Sequence, residues 1–408
     1  MKILALFDYN SFTGFASVSK NLVANWKQEY GDKMKLDIVA VNYFGDEYKE
    51  DDNIRVVSAK MKDIVKDDFG RYVFMATLRS DDYDLIFILQ DLGVIVPCIK
   101  FLKDIKEMKK VEGRKQFKSI FYFPVDFALT PNLGIGLDFF DYLATYTEYG
   151  KSQVLRLNPK LIKKLDVIPH GNNNQDFYPL QKDERLAFRK QYFGDNFNKV
   201  IVTNINRNQS RKDIPTTIFG FLEYWEEYNK NAFLYLHMNW KDPMGWNLKT
   251  ILSQTPLREG IDYMFPSEED ASKGASVELM NKIYNASDIY INTCTGGGWE
   301  LSVTEAMATK LPVLIPNHTS LKEIGNSGKR AYMLDTLYPI VAQVDNIIRF
   351  QCDLYEIAEN MNFIKEEKDK NSELYQKRVE DAYEYVISLK WSDIAKKFVK
   401  AINRLTKD

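Results

Sequence analysis

Three clusters combine residue types and spacings that could do chemistry. In NINRNQSRKDIPTTI, Arg207, Arg211 and Lys212 stand at or before the start of a segment with helical period. A helix N-terminus carries partial positive charge, so three cations there are in conflict with it until an anion arrives. Arg207 can grip a phosphate through two parallel N–H bonds, and Lys212 can add a point charge to the same group. In TCTGGGWELSVTE, Gly296, Gly297 and Gly298 form a permissive turn, followed by Trp299, Glu300 and Leu301. A helix is expected from near Ser302, with Glu305 in its first turn. Backbone N–H groups at such a turn can cradle a second anion, and Glu305 can accept hydrogen bonds from ribose hydroxyls. The third cluster is the loop DYNSFTG, where Gly14 lets the backbone approach a phosphate or sugar at another helix start, without a GxGxxG or Walker pattern.

In the first half, Asp126 follows the apolar run SIFYF and can orient an acceptor hydroxyl or take its proton; capping a turn is the competing role. Gln90 and Asp91, after LIFIL, are candidates of the same kind. The triplet Asp82-Tyr83-Asp84 has the spacing of a metal-binding DxD but precedes its strand, at the wrong edge of a sheet, so no metal is expected there. His170, His237 and His318 show no paired spacing, which argues against a zinc hydrolase.

The elements that must position these residues alternate between short Ile/Val/Phe-rich runs and longer helix-period stretches, the pattern of parallel α/β units. Strands are expected at 2–7, 36–41, 54–58, 85–89, 119–123, 142–146 and 165–168, then at 200–204, 233–237, 289–292 and 312–315. Helices are expected at 277–286 and 303–309, and across DERLAFRKQYFG with Gly194 closing it. In open α/β sheets ligands sit beyond the carboxyl ends of the strands, where the clusters above fall. The expected division is an acceptor-side Rossmann-like domain (1–180), a nucleotide-sugar-binding Rossmann-like domain (195–385) and a closing amphipathic helix (386–408) capped by Ser392 or Asp393 and packing back on the first domain.

The 408 residues suit two or three domains, and 45% apolar with 27% charged residues excludes disordered and fibrous classes. Fifty-five basic against 57 acidic residues leave a net charge of −2, without the global basic field of a nucleic-acid binder. The apolar run in MKILALFDYN is about six residues long, too short for a signal peptide or a span, and reads as a buried first strand. Cys98, Cys294 and Cys352 are dispersed and odd in number, so a reducing cytoplasm is expected. Between Lys100 and Lys118 eight Lys or Arg face three acidic residues: a solvated helix face, or a contact with an anionic acceptor or a membrane surface.

The stretch GGGWELSVTEAMATKLPVLIPN resembles the donor-site signature S-E-G-F-G-L-P-x-x-E-A-M-A-x-G-x-P-V of the retaining family 4 glycosyltransferases of the GT-B fold. IPHGNNNQDFYP resembles that family's domain junction, and Arg207 with Lys212 resembles its Arg and Lys five residues apart. YTEYGK resembles its S-E-x-x-K turn, and Trp391 the tryptophan opening its closing helix. The resemblance implies two Rossmann-like domains facing across a cleft. It also implies transfer of a sugar from a UDP- or GDP-linked donor to an acceptor hydroxyl, with retention, without a metal and without a separate cofactor.

Together the residues and the resemblance place donor binding at Gly14, Arg207, Lys212, Gly297, Gly298, Trp299, Glu300, Leu301 and Glu305, and catalysis at Asp126, Arg207 and Lys212, as expectations. The acceptor is left open among a glycan, a lipid-linked sugar, a protein or a modified base of viral DNA, and a catalytically silent nucleotide-sugar-binding protein is the alternative of another class. The family commonly has two glutamates eight apart; here the first position is Gly297, and Glu300 stands where glycine is usual, so Glu300 is expected to replace part of the missing carboxylate or to face solvent. Alanine at Arg207 or Lys212 is expected to cut turnover while leaving the melting temperature near wild type.

Overall fold

The computed structural model describes residues 1–11, 13–60, 67–341 and 346–407. The chain divides into two units, Met1–Gly171 with Trp391–Asp408, and Asn172–Lys390. Every strand read from the sequence is present, its ends shifted by one residue at most.

In the first unit the strands are β1 (Lys2–Asp8), β2 (Lys35–Val41), β3 (Tyr48–Lys49), β4 (Ile54–Ser58), β5 (Leu85–Leu89), β6 (Lys118–Phe123), β7 (Tyr142–Thr145) and β8 (Leu165–Val167). Their order is β3-β4-β2-β1-β5-β6-β7-β8, parallel except for the short edge strand β3. Runs such as ILALFD are buried at every residue because helices cover both faces of a parallel sheet. On one face the helix Gly14–Tyr30 places Trp26 against Phe87 (4.9 Å between ring centroids), and Phe398 of the last helix reaches Phe87 (5.2 Å) and Tyr122 (4.8 Å).

That last helix, Trp391–Thr406, buries Trp391, Ile394, Ala395, Phe398, Val399, Ala401 and Ile402, a stripe of helical period. It starts at Trp391, so Ser392 and Asp393 lie inside its first turn and neither is the cap. Trp391 sets the start because its ring is seated on the strand-end segment: it stacks on His170 (6.0 Å, 29°), and a Cβ at Gly171 would fall 2.5 Å from its Cδ2. His170 is buried, which pushes its pKa down to about 3, and Tyr122 Oη, 2.8 Å from its Nδ1, donates to the Ile168 carbonyl.

The helix Ile99–Val111 does not carry a uniform basic face. Lys109 is buried and donates to the Asp81 carbonyl and to Asp82 (2.8 Å each), Arg114 pairs with Asp82 (2.9 Å) and Lys115 with Asp84. Asp82 and Asp84 therefore hold lysine and arginine at the amino end of β5, while Lys100, Lys103 and Lys110 stay exposed. Among the described residues no helix is long and apolar enough to cross a membrane.

The second unit contains β9 (Val200–Ile205), β10 (Ala232–His237), β11 (Tyr263–Met264), β12 (Ile289–Ile291), β13 (Val313–Pro316) and β14 (Tyr332–Leu334), all parallel in the order β11-β10-β9-β12-β13-β14. A separate antiparallel hairpin, β15 (Thr336–Val341) with β16 (Ile348–Cys352), was not expected from the sequence: TLYPIV shows no alternation of apolar and polar residues, and the alternating IRFQC is only five residues long. The helix Lys182–Phe193 ends at Gly194 in the left-handed region (φ 52°), and its Arg189 clamps Asp288 (2.7 Å) at the amino end of β12. Burial pushes the Asp288 carboxyl up, but Lys368 and Arg189 outweigh it and hold it far below the usual carboxylate range.

Candidate functional site

In the second sheet β9 lies between β10 and β12, so the direction in which successive strands are added reverses there, and a ligand crevice is expected beyond the carboxyl ends of β9 and β12. The loops leaving those two strands carry the cations and the glycine turn. They are stitched together: Thr295 N–H donates to the Arg211 carbonyl (2.8 Å), and Thr293 Oγ1 donates to the Asp213 carbonyl (3.0 Å). Asp213 takes a left-handed φ of 48° between the turn Ser210–Lys212 and the helix Ile214–Glu227. Its buried carboxylate accepts from Thr216 Oγ1 (2.7 Å), and burial pushes its pKa up.

At the centre Lys212 donates from Nζ to Glu300 Oε2, both side chains being buried, with Arg211 Nη1 3.6 Å from Glu300 Oε1 and Asn292 Nδ2 3.4 Å from Oε2. Burial pushes the Glu300 carboxyl up, but Lys212 and Arg211 outweigh it and hold the carboxyl below the usual range. Glu300 thus does not face solvent. An added Cβ at Gly297 would lie 2.7 Å from Glu300 Oε1 and 3.0 Å from its Cγ. The Glu300 side chain occupies the space into which a residue 297 side chain would grow.

None of Gly296, Gly297 and Gly298 takes a left-handed φ, so the close approach of Glu300, rather than turn geometry, accounts for glycine at 297. The Gly297 N–H donates to Thr319 Oγ1 (3.2 Å), which removes it from the expected anion cradle. Thr319 Oγ1 is 3.0 Å from His318 Nδ1, and His318 Nε2–H donates to the Cys294 carbonyl (3.0 Å). Burial keeps this imidazole neutral, its pKa pushed down to about 4.

The helix Leu301–Ala308 begins one residue earlier than expected, with Glu300 as its cap residue, so Glu305 lies beyond the first turn. Glu305 is half-buried and accepts from Tyr284 Oη (2.7 Å). Burial pushes its pKa up to about 7 against the lowering by that hydrogen bond. Trp299 packs against this unit's apolar cluster, and Leu301 is the first helical residue. Arg207 is held elsewhere in the same loop: its exposed guanidinium bonds Asp242 through Nε (2.8 Å) and Nη2 (3.4 Å). Asn208 fixes that arrangement, accepting from Trp246 N–H (3.1 Å) and donating to the Trp246 carbonyl (2.7 Å).

The structure therefore joins Lys212, Glu300, Gly297 and Arg211 and gives Arg207 and Glu305 separate partners. Gly14 and Asp126 belong to the first unit. Gly14 opens the helix Gly14–Tyr30 behind the cap Thr13, which donates to Asp8 Oδ2 (2.5 Å), and Asp126 sits half-buried in the loop after β6. Asn292, His318, Thr319 and Asp242 escaped the sequence reading. Only Asn292, a polar residue at the end of an apolar strand, left a signal in the sequence.

No family profile matches the chain. It is similar to a probable sucrose-phosphate synthase of Thermosipho melanesiensis, 23% identical over 63% of this chain and 51% of that protein. A mannosylfructose-phosphate synthase of Agrobacterium fabrum is 26% identical over 42% of this chain and 37% of its own length. The match thus spans about half the length of the first of these relatives and less of the second. Among solved structures, the sucrose-phosphate synthase of Thermosynechococcus elongatus aligns with a TM-score of 0.71 at 14% identity, over 99% of this chain and 98% of that one. Anabaena HepE in complex with UDP-glucose aligns with a TM-score of 0.67 at 13% identity, over 99% and 100%. With two parallel Rossmann-like units and this likeness along its whole length, the chain has the GT-B fold of the nucleotide-sugar glycosyltransferases.

Proposed function

We propose that the protein transfers a sugar from a nucleoside diphosphate sugar to a carbohydrate hydroxyl, with retention at the anomeric carbon. The observation that carries this reading is the cation set beyond β9 and β12, with Lys212 and Arg211 converging on one buried carboxylate. Breaking the bond between the anomeric carbon and the diphosphate builds negative charge on the leaving group. Cations fixed before the reaction stabilise that charge without reorganising. Lys212, Arg211 and Arg207 take this role, so the reading assigns no metal and no separate cofactor. UDP is favoured over GDP because HepE was solved with UDP-glucose.

Glu300 has two tasks in this scheme. It holds Lys212 in position, and from the space beside Gly297 it accepts hydrogen bonds from donor-sugar hydroxyls in place of the family's first glutamate. Glu305 accepts from the ribose, while Gly297, Gly298, Trp299 and Leu301 form the wall of the donor site. In the first unit Gly14 admits a close ligand and Asp126 orients the acceptor hydroxyl or takes its proton. The three free thiols Cys98, Cys294 and Cys352 suit a reducing cytoplasm. Lys100, Lys103 and Lys110 are the residues through which a peripheral membrane contact would act.

A thermal-shift panel of UDP- and GDP-sugars tests the donor, because a ligand that binds only the folded state raises the melting temperature. A UDP-sugar is expected to raise it most, and release of UDP should follow when a sugar acceptor is added. Binding without any release identifies the silent alternative, and no shift with any nucleotide sugar refutes the reading. The anomeric configuration of the product, read by NMR, decides retention.

A further inference from the structure

The first unit contains a groove of about 670 Å³ along the helix Gly14–Tyr30, lined by Tyr9, Asn10 and Ser11 after β1, by Tyr48 and Glu50 at the sheet edge, and by helix residues including Lys20 and Lys27. Its size falls within the range of small-ligand sites. Lys20, Val23, Ala24 and Lys27 recur at helical spacing and form one wall. Val23 is buried and Ala24 is exposed, so the groove exists because the helix carries a methyl group where a longer side chain would fill it.

The polar groups are held in place before any ligand arrives. Tyr9 Oη donates to Glu50 Oε2 (2.7 Å), and Tyr48 Oη donates to Asn10 Oδ1 (2.9 Å). The Tyr48 ring stands edge-on to Tyr43 (6.1 Å, 83°). Among the described residues, Glu50 Oε1, Asn10 Nδ2 and Lys20 Nζ have no partner. An acceptor and two donors therefore remain beside tyrosine rings. Lys27 pairs with Asp51, and the other two charged lining residues, Lys20 and Glu50, are of opposite sign, so the groove has no excess of positive charge.

We propose that this groove binds a neutral sugar. A carboxylate, an amide and an ammonium suit the mixed donors and acceptors of sugar hydroxyls, and the exposed Tyr48 ring suits the apolar C–H face of a pyranose. A phosphate would meet the Glu50 carboxylate with a single unpaired lysine to offset it. The inference needs no donor and stands even if the second unit binds no nucleotide.

Saturation-transfer NMR and calorimetry on the whole chain test it, with glucose, fructose and maltose as neutral probes, glucose 6-phosphate as the anionic probe, and UDP as an independent control. Neutral sugars are expected to bind. Glu50→Gln should weaken them about tenfold, the size of one lost hydrogen bond to a charged group. Ala24→Trp, which fills the groove without removing any polar group, should abolish binding while UDP affinity stays as in the wild type. The proposal is overturned if no neutral sugar binds, if binding survives Ala24→Trp, or if only the phosphorylated sugar binds.

Discussion

Replacing Lys212 with methionine tests how the buried pair contributes to both stability and turnover. The substitution leaves Glu300 buried, with only Arg211 at 3.6 Å and Asn292 at 3.4 Å for company. The carboxylate can escape by taking up a proton. For a group whose ordinary value is 4.5, that costs about 3.4 kcal/mol at pH 7, at about 1.36 kcal/mol per pH unit. Arg211 reduces the cost, so a loss of about 2–3 kcal/mol is expected, or about 4–12 °C for a unit of this size.

The sign of the pH effect follows from linkage. In the wild type the Glu300 pKa is lowered, so its contribution is full above the unfolded value and fades as pH falls through the folded one. In the variant the pKa is raised, so the native state holds the extra proton and the deficit shrinks as pH falls from 7 toward 5. Adding Glu300→Gln should recover most of the stability, because the unpaired charge is gone. Turnover should stay at least about tenfold down in that double variant, since the cation facing the diphosphate is still missing. Melting curves at pH 7 and pH 5, with UDP release as the second assay, decide the matter. A Lys212→Met protein that melts like the wild type at pH 7, or whose deficit does not vary with pH, would refute the reasoning. Melting near the wild-type temperature, expected from sequence for both cations, now holds for Arg207 alone.

Arg207→Ala breaks only an exposed pair with Asp242, so it should change stability by no more than about 1 kcal/mol while cutting turnover at least about tenfold. UDP affinity, measured by calorimetry, should fall as pH drops below the Glu305 value of about 7, by about tenfold at pH 6, and Glu305→Gln should remove that dependence. Gly297→Glu should lower the melting temperature, because its Cβ would meet Glu300 at 2.7 Å, and Gly297→Glu with Glu300→Gly should recover it. Gly171→Ala places a methyl 2.9 Å from the Trp391 backbone and should loosen the closing helix, seen as faster amide exchange over 391–406.

The strands were readable because parallel sheets covered on both faces leave uninterrupted apolar runs, such as ILALFD and LIFIL, bounded by turn residues. In the hairpin β15–β16 the exposed strand Thr336–Val341 was not, because it is as apolar as a buried one and shows no alternation, whereas the alternating IRFQC of β16 did carry a strand signal. The positions of Arg207, Lys212 and Glu305 after their strands also followed from sequence, since strand order puts loops at one end of the sheet.

Partners did not follow. Arg207 and Lys212 are five residues apart and equivalent as cations, yet one holds Asp242 at the surface and the other holds Glu300 in the interior. Local spacing by itself determined where these groups enter the loop, through strand length and turn chemistry. Which carboxylate each cation meets was decided only by tertiary structure, because Glu300 comes from a strand crossover 88 residues away and reaches Lys212 through the space a glycine leaves at 297.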